Sequence, residues 1–378
     1  MSQTGQISPS ARPAFGGTCS GFRPTDATEK ATGMSMGLHV RESPPTPDRS
    51  TLCVAVLGTG SIGMRHLTTL QRMVGVRPLA VPRRSERLHE LTQAGFSTAK
   101  GLDDAVQQGA RLCVIATETG QHLADGLAAI DRGLDVLVEK PMATNAREAV
   151  QLNRRAQEAG RTLVVGCVLR FSESLNACRE LLPKVGRLHT VQIACQSYLP
   201  EWRPARPYRE SYSARADQGG VLRDLIHELD YAGWLFGWPK ALQAHVRNLG
   251  RLGIEADEAA DLLWQTPEGA AVSVNLDYLT RPPRRIVRAL GEFGTLEWDG
   301  IAGTVTLALA GAPVHMTKCA QSRDGMYAAQ AQAVVHTVLG RRDPRTATAE
   351  DGVRALAVCD AARLASERRH EMKVEYPS

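Results

Sequence analysis

The sequence lacks the long apolar runs, paired-cysteine motifs and blocks of like charge that announce several functional classes. No apolar stretch approaches the ~18 residues that cross a bilayer, so no membrane partner is expected. The eight cysteines are scattered, without a C-x-x-C, and several fall in apolar strand-like runs where a reduced thiol behaves as a small hydrophobe. No His/Cys spacing resembles a metal site, so no metal is expected. The N-terminus carries no apolar segment of the signal-peptide type, and with reduced cysteines this sets the expectation of a cytoplasmic protein. A net charge of +5 over 378 residues is mild. Basic blocks interleaved with aromatics are missing, so nucleic acid is not an expected partner. There is no G-x-S-x-G elbow. His227-Glu228 is followed by Leu229-Asp230-Tyr231, with no second histidine to complete H-E-x-x-H. No internal repeat is found.

What is present suits a two-domain globular chain, 43% hydrophobic and 22% charged. Residues 1–50, rich in Ser, Thr, Gly and Pro, hold no hydrophobic period and are expected to be disordered. Order begins with the apolar run Leu52–Leu57, read as a strand buried on both faces. It leads into Gly58-Thr59-Gly60-Ser61-Ile62-Gly63, and the apolar spacing that follows is helical. Strand, G-x-G-x-x-G, helix is the dinucleotide-binding context: Gly58 turns the chain, Gly60 lets a pyrophosphate approach, and Gly63 lets helix pack on strand. The phosphates, beside Ser61 and Ile62, would meet the free N–H groups of the helix N-terminus. About 20 residues on, where an acid would hold the ribose of NAD, stands Pro82-Arg83-Arg84-Ser85. Arg83 and Arg84 suit a 2′-phosphate and favour NADP(H) over NAD(H), although the same turn also reads as a solvated basic loop.

Strands and helices alternate from 51 to 170, which gives a doubly wound parallel sheet of the Rossmann type. Within it, Asn145 is read as a helix cap with Glu148 as capping-box partner. Residues 171–378 read as an α+β domain with a large open, mostly antiparallel sheet, because strand-like stretches between 188 and 308 lack crossover helices. One continuous helix is expected over 219–236.

Three groups of residues could carry chemistry. Lys140, in Glu139-Lys140-Pro141, follows a parallel strand at the sheet edge where ligands bind, and could stabilise a developing alkoxide; a surface ion pair with Glu139 is the alternative. On the 219–236 helix, Asp224, His227 and Tyr231 are spaced to share a face, and a histidine flanked by Asp224 and Asp230 could accept a proton. A half-buried structural histidine is the competing reading. The loop 198–212 offers Trp202, Arg203, Arg206, Tyr208, Arg209 and Tyr212, suited to stacking on a sugar and gripping an anion, or to a protein interface. Arg170, at the end of the first half, joins Trp202, Arg203, Tyr208, Tyr212 and His227 as a candidate substrate contact.

Together Gly58–Gly63, Thr117–His122, Glu139-Lys140-Pro141, Gly219–Asp230 and Gly294-Thr295-Leu296-Glu297 resemble the glucose–fructose oxidoreductase / inositol dehydrogenase (Gfo/Idh/MocA) family, over residues 51 to about 370. The resemblance implies hydride transfer at a sugar or cyclitol carbon, and homo-oligomers built on the open sheet. It makes Lys140 the catalytic lysine and His227 the general acid/base, with Thr117, His122, Glu139 and Lys140 as cofactor contacts. Many members place an aspartate four residues before that histidine; here Asp224 stands three before, as the candidate third catalytic group. The loop 198–212 with G-G-V-L and I-H-E-L-D-Y looks like a branch associated with surface-polysaccharide or sialic-acid-type sugars. Three functions are thereby in contention. These are an exchanging NAD(P)-dependent dehydrogenase, an enzyme that keeps its cofactor and oxidises transiently to allow elimination or hydration, and a non-catalytic dinucleotide sensor.

Overall fold

The computed structural model describes residues 51–377 apart from Ala205, so the expectation for residues 1–50 lies outside the described residues. The first half runs β1 (Leu52–Leu57), α1 (Ser61–Gln71), β2 (Val76–Val81), α2 (Ser85–Gln93), α3 (Leu102–Gln107), β3 (Ala110–Ile115), α4 (His122–Asp131), β4 (Asp135–Val138), α5 (Ala146–Glu158) and β5 (Leu163–Val165). Every residue of β1 is buried, because helices cover both faces of a parallel sheet and leave no alternation to read. Asn145 does cap α5, accepting from the Glu148 N–H at 3.0 Å. The Glu148 carboxylate turns instead to the N–H and hydroxyl of Thr144, so the reciprocal half of the expected capping box is not made.

The second half runs α6 (Glu173–Leu181), β6 (Leu188–Gln196), α7 (Val221–Asp224), α8 (Ile226–Phe236), β7 (Ala241–Arg247), β8 (Ala259–Gln265), β9 (Ala271–Asp277), β10 (Arg284–Gly291), β11 (Gly294–Asp299), β12 (Thr304–Leu309), β13 (His315–Lys318), α9 (Arg323–Val338), β14 (Ala347–Thr348), α10 (Ala349–Arg368) and β15 (Met372–Lys373). Nine strands form one open sheet in the order β13-β12-β11-β10-β6-β9-β8-β7-β15. All its pairings are antiparallel except β6 with β9. β9 alternates buried and half-buried residues along its length, the period-two pattern of a sheet with one packed face.

The chain does not stay in that second sheet. β14 pairs antiparallel with β5 and completes a six-stranded first sheet, β14-β5-β4-β3-β1-β2. α9 packs on α1 and α10 on α5. A split at residue 170 therefore leaves out three C-terminal elements that cover the nucleotide-binding half. Among the described residues, no helix is long and apolar enough to cross a membrane.

Candidate active site

In the first sheet β1 lies between β2 and β3, so the chain leaves β1 to one side and returns to the other. Such a switch point opens a crevice at the carboxyl ends of the strands. Here the crevice is a cleft of about 1280 Å³, lined by Gly58–Ile62 after β1, Ala116–Thr119 after β3, and Glu139 and Lys140 after β4. Gly58 and Gly63 each have a steric reason. Gly58 has φ +88°, and a Cβ there would stand 2.8 Å from the Ala116 carbonyl. A Cβ on Gly63 would meet the Gly58 oxygen at 1.8 Å, so only glycine lets α1 start this close to the turn. At Gly60 a Cβ meets nothing within 4 Å, leaving open space on the cleft side. α1 begins without a side-chain cap and without an acid in its first turn. Its first amides are thus free for an anion, and the residues present fit a dinucleotide pyrophosphate.

Arg83 and Arg84 both line the cleft. The Arg83 guanidinium is held by Asp125 of α4, a carboxylate that also accepts from the Thr117 hydroxyl at 2.7 Å. Arg84 has no such partner among the described residues. His122, 1% exposed, places one ring nitrogen 2.8 Å from the Pro141 oxygen and the other 3.1 Å from the Thr117 oxygen. Burial pushes its pKa down, outweighing the carbonyls that favour the charged ring. It ties the turns after β3 and β4 together, and neither nitrogen is left for a ligand. Glu139 is equally engaged, with one oxygen 2.7 Å from His66 Nε2 and the other accepting the Lys140 N–H at 3.2 Å.

The expected helix over 219–236 is broken. Leu225, at φ −97° and ψ 28°, separates α7 from α8, so the straight-helix argument for a shared face fails. α7 starts where Gly220, at φ +93°, passes so close to Asp257 that a Cβ would fall 2.4 Å from its carboxylate. That carboxylate accepts the Leu222 N–H at 3.1 Å. The break puts Asp224 and His227 on the cleft wall, while Tyr231 is buried with its ring 5.6 Å from Trp298. Asp230 does not flank His227 either; it binds Arg170 through both carboxylate oxygens.

Lys140 Nζ donates to the backbone oxygen of Asp224 at 2.7 Å and brings the two halves of the site together. Asp224 Oδ2 accepts from the Tyr278 hydroxyl at 2.7 Å, and its buried Oδ1 has no partner. The Asp224 charge, then burial, pushes the Tyr212 hydroxyl above its ordinary range, so that phenol stays a donor. His227 presents a partly open ring to the cleft and an enclosed Nδ1 without a partner. Burial first, then the cations Lys140, Arg285 and Arg323, hold its pKa well below the usual 6.5. A neutral imidazole and an ammonium therefore face one cavity beside Asp224, a set able to take a proton and steady an oxyanion.

Of the candidate substrate contacts, Trp202, Arg203, Tyr212 and His227 line this cleft. Tyr208 does not: its hydroxyl donates to the Leu252 oxygen at 2.9 Å. Arg170 is also misplaced as a substrate contact. It is 2% exposed and bound by Asp230 at 2.6 Å and Asp351 at 3.0 Å, which makes it a clamp between α8 and α10. Sequence reasoning missed Tyr278, His66 and Arg285, whose partners are distant in the chain, and Arg284 and Arg323, which belong to no local motif.

Comparison with known proteins agrees with this geometry. Residues 52–167 match the oxidoreductase family with an NAD-binding Rossmann fold, GFO_IDH_MocA, and residues 179–297 match the GFO/IDH/MocA C-terminal domain. An inositol 2-dehydrogenase of Saccharopolyspora erythraea is 28% identical over 331 residues, 82% of this chain and 92% of that protein. A scyllo-inositol 2-dehydrogenase (NADP(+)) of Bacillus subtilis is 31% identical over 138 residues, 36% of this chain and 37% of the relative. The WlbA dehydrogenase of Bordetella pertussis, solved with NADH and UDP-GlcNAcA, shares the fold at a TM-score of 0.75 and 21% identity, covering 87% of this chain and 99% of that one. The chain belongs to the Gfo/Idh/MocA oxidoreductase family.

Proposed function

We propose that this NAD(P)-dependent dehydrogenase of CH–OH groups oxidises or reduces a carbon of a sugar, nucleotide sugar or sugar acid, with Lys140 and His227 handling the proton. The carrying observation is that Lys140, Asp224 and His227 line one cleft with the glycine turn, with Lys140 Nζ on the Asp224 backbone oxygen. The dinucleotide would lie along Gly58–Ile62 and Thr117, and its nicotinamide supplies the hydride acceptor or donor when bound. Lys140 holds one proton on the Asp224 carbonyl and keeps two N–H groups for a substrate oxygen. That ammonium favours the alkoxide form of the hydroxyl as it loses its proton. His227, kept neutral by burial and three cations, has lone-pair capacity to accept that proton across the neutral pH range. Asp224, fixed by Tyr278, orients the lysine through its backbone oxygen.

NADP(H) is the favoured cofactor in this reading, because no acid follows β2 and Arg84 is free to meet a 2′-phosphate. The open sheet is read as the face that joins copies of the chain, since Leu263, Leu290, Phe293 and Met316 are exposed on its strands and turns.

The test is titration with NADH and NADPH by nicotinamide fluorescence, followed by turnover of a sugar and cyclitol panel by wild type and Lys140→Ala. Cofactor binding retained with turnover lowered by ~10²–10⁴-fold is expected. A fully active Lys140→Ala would remove the lysine from the chemistry, and cofactor that purifies bound and does not exchange would favour transient internal oxidation.

A further inference from the structure

Beyond Lys140 the cleft is strongly cationic. Lys140, Arg203, Arg206, Arg284, Arg285 and Arg323 line it; of the carboxylates in the lining, Glu90 pairs with Arg87 and Glu118 with Arg215, leaving Asp224 and Glu139. These cations come from four separate places: the turn after β4, the loop after β6, the start of β10 and the first turn of α9. Arg285 is answered from behind by Glu228 at 2.9 Å, and Glu139 is spent on His66. Arg203, Arg206 and Arg284 pair with no carboxylate among the described residues. Cations converging on one concavity raise its positive potential and draw an anion in. A neutral polyol gains nothing from planar guanidinium forks, whereas a carboxylate or phosphate accepts two parallel N–H bonds from each. Trp202, held by its indole N–H on the Ser197 hydroxyl at 2.9 Å, adds a ring beside Arg203.

We propose that the substrate is anionic, and that Arg203 and Arg284 grip its carboxylate or phosphoryl group at the mouth of the cleft while Lys140 and His227 face its reacting carbon. This rests on the dehydrogenase reading above. Discrimination would arise because the two arginines come from segments other than those that carry Lys140 and His227, so charge is read apart from the hydroxyl that reacts.

The experiment uses the full chain saturated with NADH and measures binding of D-glucuronate, glucose 6-phosphate, UDP-glucose, neutral glucose and myo-inositol by calorimetry. Glucuronate, the phosphomonoester and the diphosphate separate a sugar acid from the two phosphoryl sources. At least one anion is expected to bind about tenfold or more tighter than both neutral compounds, one good charge-assisted contact being worth that factor. Arg203→Ala with Arg284→Ala should abolish that preference while leaving the NADH Kd unchanged; Arg203→Lys with Arg284→Lys should restore part of it. Neutral sugars binding as well as every anion, no anion binding at all, or a preference that survives the double alanine variant would each overturn the proposal. Failure to bind either NADH or NADPH, or anion binding without turnover of any compound, would instead count against the dehydrogenase reading.

Discussion

Alanine at Gly60 and alanine at Gly63 should fail in different ways, and the difference tests whether the turn after β1 is a phosphate cradle or merely a turn. At Gly60 the backbone has φ −72°, which any residue adopts, and an added Cβ meets nothing within 4 Å. Gly60→Ala should therefore fold normally and even gain about 0.4–1 kcal/mol, because the unfolded chain loses freedom. The methyl, however, occupies the open space beside the first amides of α1. Affinity for NADH should fall at least about tenfold, ~1.4 kcal/mol. At Gly63 the same methyl falls 1.8 Å from the Gly58 oxygen, and contacts under 3.0 Å essentially never occur, so α1 must retreat by about 1.2 Å. Overpacking of that kind costs about 1–3 kcal/mol and moves the amides that face the ligand. Gly63→Ala should lower both the melting temperature, by several degrees, and NADH affinity. Thermal melts without ligand and NADH fluorescence titrations separate the two. A Gly60→Ala variant with wild-type NADH affinity would refute the cradle, and a Gly63→Ala variant with wild-type melting would refute the close approach.

Three further outcomes follow from the geometry. Replacing Arg84 should weaken NADPH more than NADH, and Asp125→Asn, by freeing Arg83, should shift preference further toward NADPH; equal effects on the two cofactors in fluorescence titrations would end the 2′-phosphate argument. Removing the Arg170 side chain, as Arg170→Met, should destabilise by about 3–5 kcal/mol in urea unfolding, because Asp230 would be left buried and unpaired; a loss below ~1 kcal/mol would show that the clamp is dispensable. Burial holds His122 and His227 below the ordinary histidine pKa, so the unfolded chain takes up protons more readily than the folded one. Stability from these rings is complete above pH ~6.5 and is lost as pH falls below it, at up to about 1.4 kcal/mol per pH unit per ring. Urea midpoints from pH 7.5 to 5.5 should fall less steeply for His227→Gln than for wild type, and identical slopes would contradict the assignment.

How far the site could be read in advance depended on whether its residues act through neighbours or across the fold. Gly58, Gly60 and Gly63 were legible because strand, turn and helix are contiguous, and Gly58 and Gly63 each answer a local steric need. Lys140 was legible because a strand end at the edge of a parallel sheet is a fixed place in the fold. The stretch 219–236 misled for the opposite reason. Its apolar spacing is helical, but the Asp257 carboxylate, 35 residues from Leu222, starts α7, and the chain breaks at Leu225. That break, invisible in the local pattern, sends Tyr231 into the core while His227 stays on the cleft wall.

Arg170 shows the same limit from the side of charge. An arginine just past the last strand of a nucleotide-binding half reads as a ligand contact, and only partners 60 and 181 residues away disclose a structural role. Arg203 and Arg284 differ in kind, because they are exposed at the cleft and carry no such carboxylates. Whether an arginine serves the fold or a ligand is thus decided by what already neutralises it. By that criterion Arg170 and Arg285 are committed to the protein, Arg83 is shared with Asp125, and Arg84, Arg203 and Arg284 remain for anions. The first of those three follows β2 and the other two lie in the second half of the chain, so on the readings proposed above both ligands of this cleft would be selected by negative charge.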